Sequence, residues 1–274
     1  MQDLRKHLMS RSQNDLLLWA DQKAAAEAFG MTVRQIEEAA LEAGLLPARY
    51  QRNQKTFSTD DQLKLFRSTV AVIGCGGLGG YIVEELARLG VGQLRAIDSD
   101  VFEEHNLNRQ LMSTISSLGK SKVEVTAARV NEINPAVKIV PFRVRFCKEN
   151  ANSLLADSDV GVDALDSVAT RLELAAVCGE LGIPLVHGAI AGWYGQIVSQ
   201  FPGEKTLQTI YGPCANGVGA EKRLGNPSYT PAIVASLEVA EVCKILLNRG
   251  TCVARAMLVI NLLDMEFSKV KIGG

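Results

Sequence analysis

Residues 69–100 read TVAVIGCGGLGGYIVEELARLGVGQLRAIDSD, and the order of patterns in them decides the fold class. A short apolar run, TVAVIG at 69–74, meets the glycine cluster Gly74-Cys-Gly76-Gly77-Leu-Gly79 and passes into helix-period sequence, LGGYIVEELARLG at 78–90. A second short run, QLRAIDSD at 93–100, follows. Strand, tight turn, helix and strand make a βαβ unit, the context in which GxGxxG lets a backbone approach a phosphate. The helix opening there offers unpaired N–H groups and roughly half a positive charge at its N-terminus. Taken alone, the glycines are equally explained by a tight strand-to-helix turn. Asp98 is a second signal: 24 residues after Gly74, it is placed to accept from both ribose hydroxyls and to repel a 2′-phosphate.

Working outward, the same alternation continues. Helical sequence at 121–134 (SKVEVTAARVNEIN) leads to VKIVPF at 137–142. Further strands are predicted at 160–166 (VGVDALD), 183–189 (IPLVHGA) and 195–201 (GQIVSQF). A long helix is predicted over 228–250, then a closing strand pair at 255–264 and 266–272 that extends the same sheet. Such alternation is the signature of a parallel sheet. The expected fold is α/β: a Rossmann-like, mainly parallel sheet with a C-terminal antiparallel extension and a small N-terminal helical appendage. The appendage is assigned to residues 1–48 and an ATP-binding domain to 49–274. Within 13–46 two helices are predicted, LLLWADQKAAAEAF and TVRQIEEAALEAG, with Thr32 as N-cap of the second. The pair superficially resembles a DNA-binding helix-turn-helix, but Glu37, Glu38 and Glu42 make a poor face for phosphates. Between Phe201 and Tyr229 a stretch rich in Gly, Pro and Lys shows little periodicity and is longer than loops usually are.

Composition sets the bounds. With 274 residues, 47% hydrophobic and 22% charged, the chain can bury a substantial core without disulfides or metal. A formal net charge of -1 supplies no global field for nucleic acid or an anionic membrane. No signal-like start and no apolar run of spanning length appears, so a cytoplasmic protein is expected. The six cysteines never come closer than nine positions, so no CxxC pair exists and no structural zinc is predicted.

Up to Asp98 a dehydrogenase fits as well as an ATP enzyme. The following segment separates them: Asp98-Ser-Asp100-Val-Phe-Glu-Glu-His-Asn106-Leu-Asn108-Arg109-Gln110, then Gly119-Lys120-Ser-Lys122 at a helix start. An enzyme that splits ATP between its α and β phosphates must neutralise developing charge, and Arg109 and Lys122 are the candidate clamps. Singly, each would pass as a solvated surface charge. Asp163 and Asp166 end an apolar strand at the carboxyl edge of the sheet, where ligands of open α/β sheets bind; N-capping the following helix would equally explain Asp166.

The run from VAVIGCGGLGG through NxxRQ (Asn106 to Gln110) and GKSK (119–122) to DALDS (163–167) resembles the ThiF/MoeB/HesA family, bacterial relatives of ubiquitin-activating enzymes, over about residues 49–272. The resemblance implies ATP and Mg2+ as cofactors. It implies a nucleotide site of Gly74, Gly76, Gly77, Gly79, Asp98, Asp100, Asn106, Arg109, Gln110, Lys122 and Asp166, in which Asp166 organises Mg2+ and the reacting carboxylate. Arg49-Tyr50-Gln-Arg52-Asn53 is similar to an element whose second Arg reaches the neighbouring subunit's nucleotide, so Arg52 implies a homodimer and joins Arg109, Lys122 and Asp166 as a catalytic candidate. The implied reaction is adenylation of the C-terminal Gly-Gly of a small ubiquitin-like sulfur-carrier protein, whose tail would lie beside the segment His187 to Gln196. Relatives with a catalytic cysteine leave Cys214 as this chain's candidate, with Lys222 and Arg223 near it in sequence and an incidental thiol as the alternative. Rival functions are cyclodehydration of threonylcarbamoyl-adenosine in tRNA and a noncatalytic scaffold subunit. The near-neutral charge weighs against nucleic acid, and retention of Arg109, Lys122 and Asp166 against a scaffold.

Overall fold

The computed structural model describes residues 2–212 and 221–272. It opens with α1 (Gln2–Arg11), β1 (Leu16–Leu17), α2 (Trp19–Phe29), α3 (Val33–Glu42) and β2 (Leu46–Pro47). The first expected helix is shorter than its sequence suggested, because Leu16 and Leu17 pair in parallel with Leu46 and Pro47 before the helix begins at Trp19. Helix α1 was not anticipated at all. It buries only Leu4 and Leu8, a stripe too narrow to show as periodicity. Thr32 does cap α3, in a capping box with Gln35.

A 3-10 turn (Ala48–Asn53) and α4 (Thr59–Arg67) lead into the main sheet. Then follow β3 (Thr69–Ile73), α5 (Gly77–Leu89), β4 (Gln93–Ile97), α6 (Lys122–Ile133), β5 (Lys138–Phe142), α7 (Lys148–Leu155), β6 (Val160–Asp163), α8 (Val168–Leu181), β7 (Leu185–Ala191) and β8 (Tyr194–Gln200). The stretch expected to be irregular carries two short helices, α9 (Thr206–Tyr211) and α10 (Glu221–Leu224), before α11 (Tyr229–Leu247), β9 (Ala256–Asn261) and β10 (Glu266–Lys271). The eight strands run in the order β10-β9-β8-β7-β6-β3-β4-β5, parallel from β5 to β7 and antiparallel from β7 through β10. The mixed sheet is as expected. Strand β3 is central and apolar on both faces: Val70 and Val72 face the cluster containing α5 and α11 residues, Ala71 and Ile73 the cluster containing α7 and α8 residues. No helix among the described residues is long and apolar enough to cross a membrane.

The appendage is tied to this core by buried polar groups. Glu37 of α3, fully buried, accepts from Tyr50 Oη at 2.7 Å and is paired with Arg49. Arg49 also donates to Asn134 Oδ1 at 3.0 Å and Gln22 Oε1 at 3.1 Å, while Asn134 Nδ2 donates to Tyr50 Oη at 2.7 Å. Arg34 donates to the carbonyls of Gly92 and Ala136 and lies over the Phe66 ring. Burial raises the Glu37 pKa, against the pull of Arg49 and Tyr50. The Tyr50 hydroxyl therefore joins two partners, and Tyr50→Phe is expected to cost about 1–3 kcal/mol by leaving both short of a bond, measured by urea unfolding; an unchanged midpoint would show that the hydroxyl contributes nothing.

Glu238 of α11 is the opposite case. It is fully buried against Gly188 of β7, and neither oxygen has a hydrogen-bond partner among the described residues. Burial holds its pKa well above the usual 4.5. Above that pH the folded protein keeps a proton that the unfolded chain has lost, so this group makes stability fall as pH rises. Glu238→Gln removes that dependence, and its stability relative to wild type should grow between about pH 4.5 and 7.5, read from urea midpoints; a constant difference would mean Glu238 does not titrate this way.

Candidate functional site

At the carboxyl ends of the parallel strands lies a cavity of about 370 Å3. Its lining follows strand order. Val144, Arg145 and Phe146 come after β5, Asp98 to Asp100 after β4, Gly74, Gly76 and Gly77 after β3, Ala164 to Ser167 after β6, and Ile190 from β7. Arg109, Gln110, Lys122, Thr170, Arg171 and Asn226 complete it. Ligands of open parallel sheets bind at this edge.

The glycines divide by role. Gly74 has φ +100°, and a Cβ there would meet Ala164 O at 2.5 Å. A Cβ on Gly79 would overlap the carbonyl of Gly74, so Gly79 is what lets α5 press against the turn. It does not line the cavity. Gly76 and Gly77 do, and a Cβ on either would find no neighbour nearer than 3.6 Å. They present open backbone at the N-terminus of α5.

Asp98 is fixed from below: one oxygen accepts from Cys75 N and the other from Asp100 N, both at 2.8 Å. Each keeps a further lone pair for a hydroxyl. Lys122 begins α6 with its side chain 9% exposed and its Nζ 3.0 Å from Asp100 Oδ2. Arg109 differs. It is partly buried, its Nη1 donates to His105 O at 3.1 Å and Asn108 Oδ1 at 2.9 Å, and among the described residues no carboxylate pairs with it. Burial lowers its pKa. Gln110 is buried with an Oε1 that has no hydrogen-bond partner among the described residues, its amide packed near Gly76. Asn106 is buried outside the cavity; its side chain accepts from Glu103 N at 3.0 Å, and its carbonyl accepts from the backbone of Arg109 and Gln110. It builds the turn that carries Arg109.

Asp166 lines the cavity, is exposed, and has no hydrogen bond among the described residues. The capping alternative falls, since Ser167 occupies the N-cap of α8. Asp163, expected at the same edge, is instead fully buried, 2.8 Å from Nδ1 of His187. Arg52 is exposed on the 3-10 turn and does not line the cavity of its own chain. Cys214 lies outside the described residues, as does the side chain of Lys222. The sequence reading missed Arg145, Arg171 and Asn226. The first two stand just past β5 and in the first turn of α8, and the rule that loops at the carboxyl edge line the site would have found them.

A family model described as the ThiF family matches residues 50–274. The SAMP-activating enzyme E1 of Haloferax volcanii is 36% identical over 213 residues, 77% of this chain and 79% of that protein. The sulfur carrier protein adenylyltransferase of Thermus thermophilus is 34% identical over 224 residues, 78% and 82% of the two chains. A crystal structure of E. coli MccB with ATP superposes with a TM-score of 0.70 at 18% identity, covering 92% of this chain and 82% of the other, a likeness of fold.

The contact of Gly79 with Gly74 yields a direct test. Gly79→Ala should cost about 1–3 kcal/mol and abolish the rise in Tm on adding ATP. Gly80→Ala, whose Cβ would come nearest the flexible Met112 side chain at 3.4 Å and no closer than 3.8 Å to backbone, should retain that rise. Equal melting and equal ATP response in the two variants would refute the close approach.

Proposed function

Because the chain belongs to the ThiF family, we propose that it adenylates the C-terminal Gly-Gly carboxylate of a small ubiquitin-like sulfur-carrier protein, consuming ATP and releasing pyrophosphate. The observation that carries this reading is Arg109: a half-buried guanidinium with no carboxylate partner among the described residues, beside open glycine backbone, in a cavity that an anion would complete. The relative named a sulfur carrier protein adenylyltransferase favours a protein carboxylate over tRNA.

In this reading Gly76 and Gly77 bind phosphate oxygens through backbone N–H groups. Asp98 accepts from the ribose hydroxyls. Arg109 and Lys122 take up charge as the carboxylate attacks the α-phosphorus and pyrophosphate departs. Lys122 must then turn from Asp100 to the phosphates. Asp166 is the proposed Mg2+ ligand. The described residues contain no cluster of three metal-binding side chains, so the donor set suits a cation held by one or two carboxylates and phosphate oxygens together. Such a cation, when bound, would neutralise charge on the polyphosphate. Arg52 is proposed to complete the cavity of a second copy; its exposure on the turn supports this.

Support for a protein substrate comes from the sheet beside Ile190. Trp193 at the β7–β8 turn is 44% exposed and lies against Tyr229 with ring centroids 4.7 Å apart; its carbonyl accepts from Leu262, next to exposed Leu263 and Met265. Exposed apolar side chains gathered next to a polar cavity suit a partner that docks a body and inserts a tail.

Incubation with ATP, Mg2+ and candidate carriers ending in Gly-Gly, read by intact-protein mass spectrometry, should show one AMP on a carrier. Asp166→Ala and Arg109→Ala should each slow this about a hundred- to a thousandfold. Pyrophosphate release only with threonylcarbamoylated tRNA would move the assignment to an RNA substrate.

A further inference from the structure

Leu165, the residue that leads into Asp166, is held at both its N–H and its carbonyl. Leu165 N donates to Asp163 Oδ1 at 2.9 Å, while Leu165 O accepts from Arg171 twice, from Nε at 3.1 Å and from Nη2 at 2.6 Å. Arg171 is 9% exposed, its Nε is 4.0 Å from Asp163 Oδ2, and its guanidinium lies 5.7 Å from the centre of the Tyr211 ring. A guanidinium presents its donors as a planar fork, and two of them converge here on one carbonyl.

What lies beneath is equally determined. Gln196 Nε2 donates to Tyr211 Oη, which lies 2.9 Å from His187 Nε2, and His187 Nδ1 lies 2.8 Å from Asp163 Oδ2. Burial lowers the His187 pKa, against the pull of Asp163. Asp163 faces Leu165 N, His187 Nδ1 and the Arg171 guanidinium together. Asp166 makes no side-chain hydrogen bond among the described residues, so the direction of its carboxylate follows the backbone that this cluster grips.

We propose that Arg171 is a positioning residue that aims Asp166 into the cavity by clamping the Leu165 carbonyl, with Asp163 clamping the N–H of the same residue. This rests on Asp166 being the carboxylate at the reacting phosphorus. Misplacement by about 1 Å at such a group can cost about a hundredfold in rate, and a lysine here keeps the charge facing Asp163 but loses the fork.

The test uses Arg171→Ala and Arg171→Lys, each alone and combined with Asp166→Ala, in carrier adenylation and in amide hydrogen exchange across 163–167. Alone, each should lower kcat about 10- to 100-fold with KM for ATP changed less than about threefold, and neither should slow the Asp166→Ala enzyme further. The Leu165 N–H should exchange faster in both. Losses that multiply with Asp166→Ala, a raised KM with kcat intact, or unchanged exchange at Leu165 would each overturn the proposal. Should the alanine variant fail to fold, the lysine variant carries the same readouts. Wild-type protein inactive on every carrier would sink the proposed function, while exchange at Leu165 would still decide whether the clamp exists.

Discussion

One contact between two stretches of backbone organises the carboxyl edge of the sheet: the first turn of α5 pressed against the carbonyl of Gly74, with no side chain between them. That contact sets where Gly76 and Gly77 present their N–H groups. It holds Cys75 N within reach of Asp98, so the carboxylate at the end of β4 is bonded to the turn after β3. On the other side the turn lies under Ala164, the first residue past β6, so the loop carrying Asp166 is seated on it as well. Three loops from three strands thus take their positions from a single crossing that any side chain would block.

Around this crossing the protein uses buried polar groups to tie segments together. One network joins α3 to Tyr50 and Asn134; the other joins Asp163 to His187, Tyr211 and Arg171. Buried polar groups are costly unless fully satisfied, and when satisfied they admit few alternatives. Both networks accordingly sit where backbone direction matters: one where the appendage meets the 3-10 turn, the other beneath the loop that precedes α8. Glu238 shows the contrast. It is buried without a hydrogen-bond partner among the described residues, and so adds a pH-dependent burden where the networks add definition.

The strand and helix pattern from Thr69 onward was legible because short apolar runs alternate with helical periods, and glycines bound the first of them at 74–79 and 90–92. The cavity wall was legible where residue type and position coincide, as at Gly76, Gly77, Asp98, Arg109 and Lys122. It was not legible where chemistry depends on partners distant in sequence. Asp163 and Asp166 look alike in DALDS, yet one faces His187 in the interior and the other faces the cavity; only the pairing of β6 with β7 separates them. Gly79 fits the phosphate pattern by spacing but acts by packing. Arg171 sits in an ordinary helical stretch, and its role appears only once Leu165 O is seen within its reach. Helix α1 was missed because two buried leucines are too few to mark a face.

The pairing of Lys122 with Asp100 means that a ligand here replaces one counterion with another instead of filling an empty place. A singly charged anion returns to the lysine little more than Asp100 already provides, and must also leave that aspartate without its cation. A polyanion that meets Lys122 together with Arg109, which no carboxylate pairs among the described residues, returns more than the exchange removes. Under the proposed function, selection among nucleotides would follow the number of charges each carries, through a comparison built into the free protein before any ligand arrives.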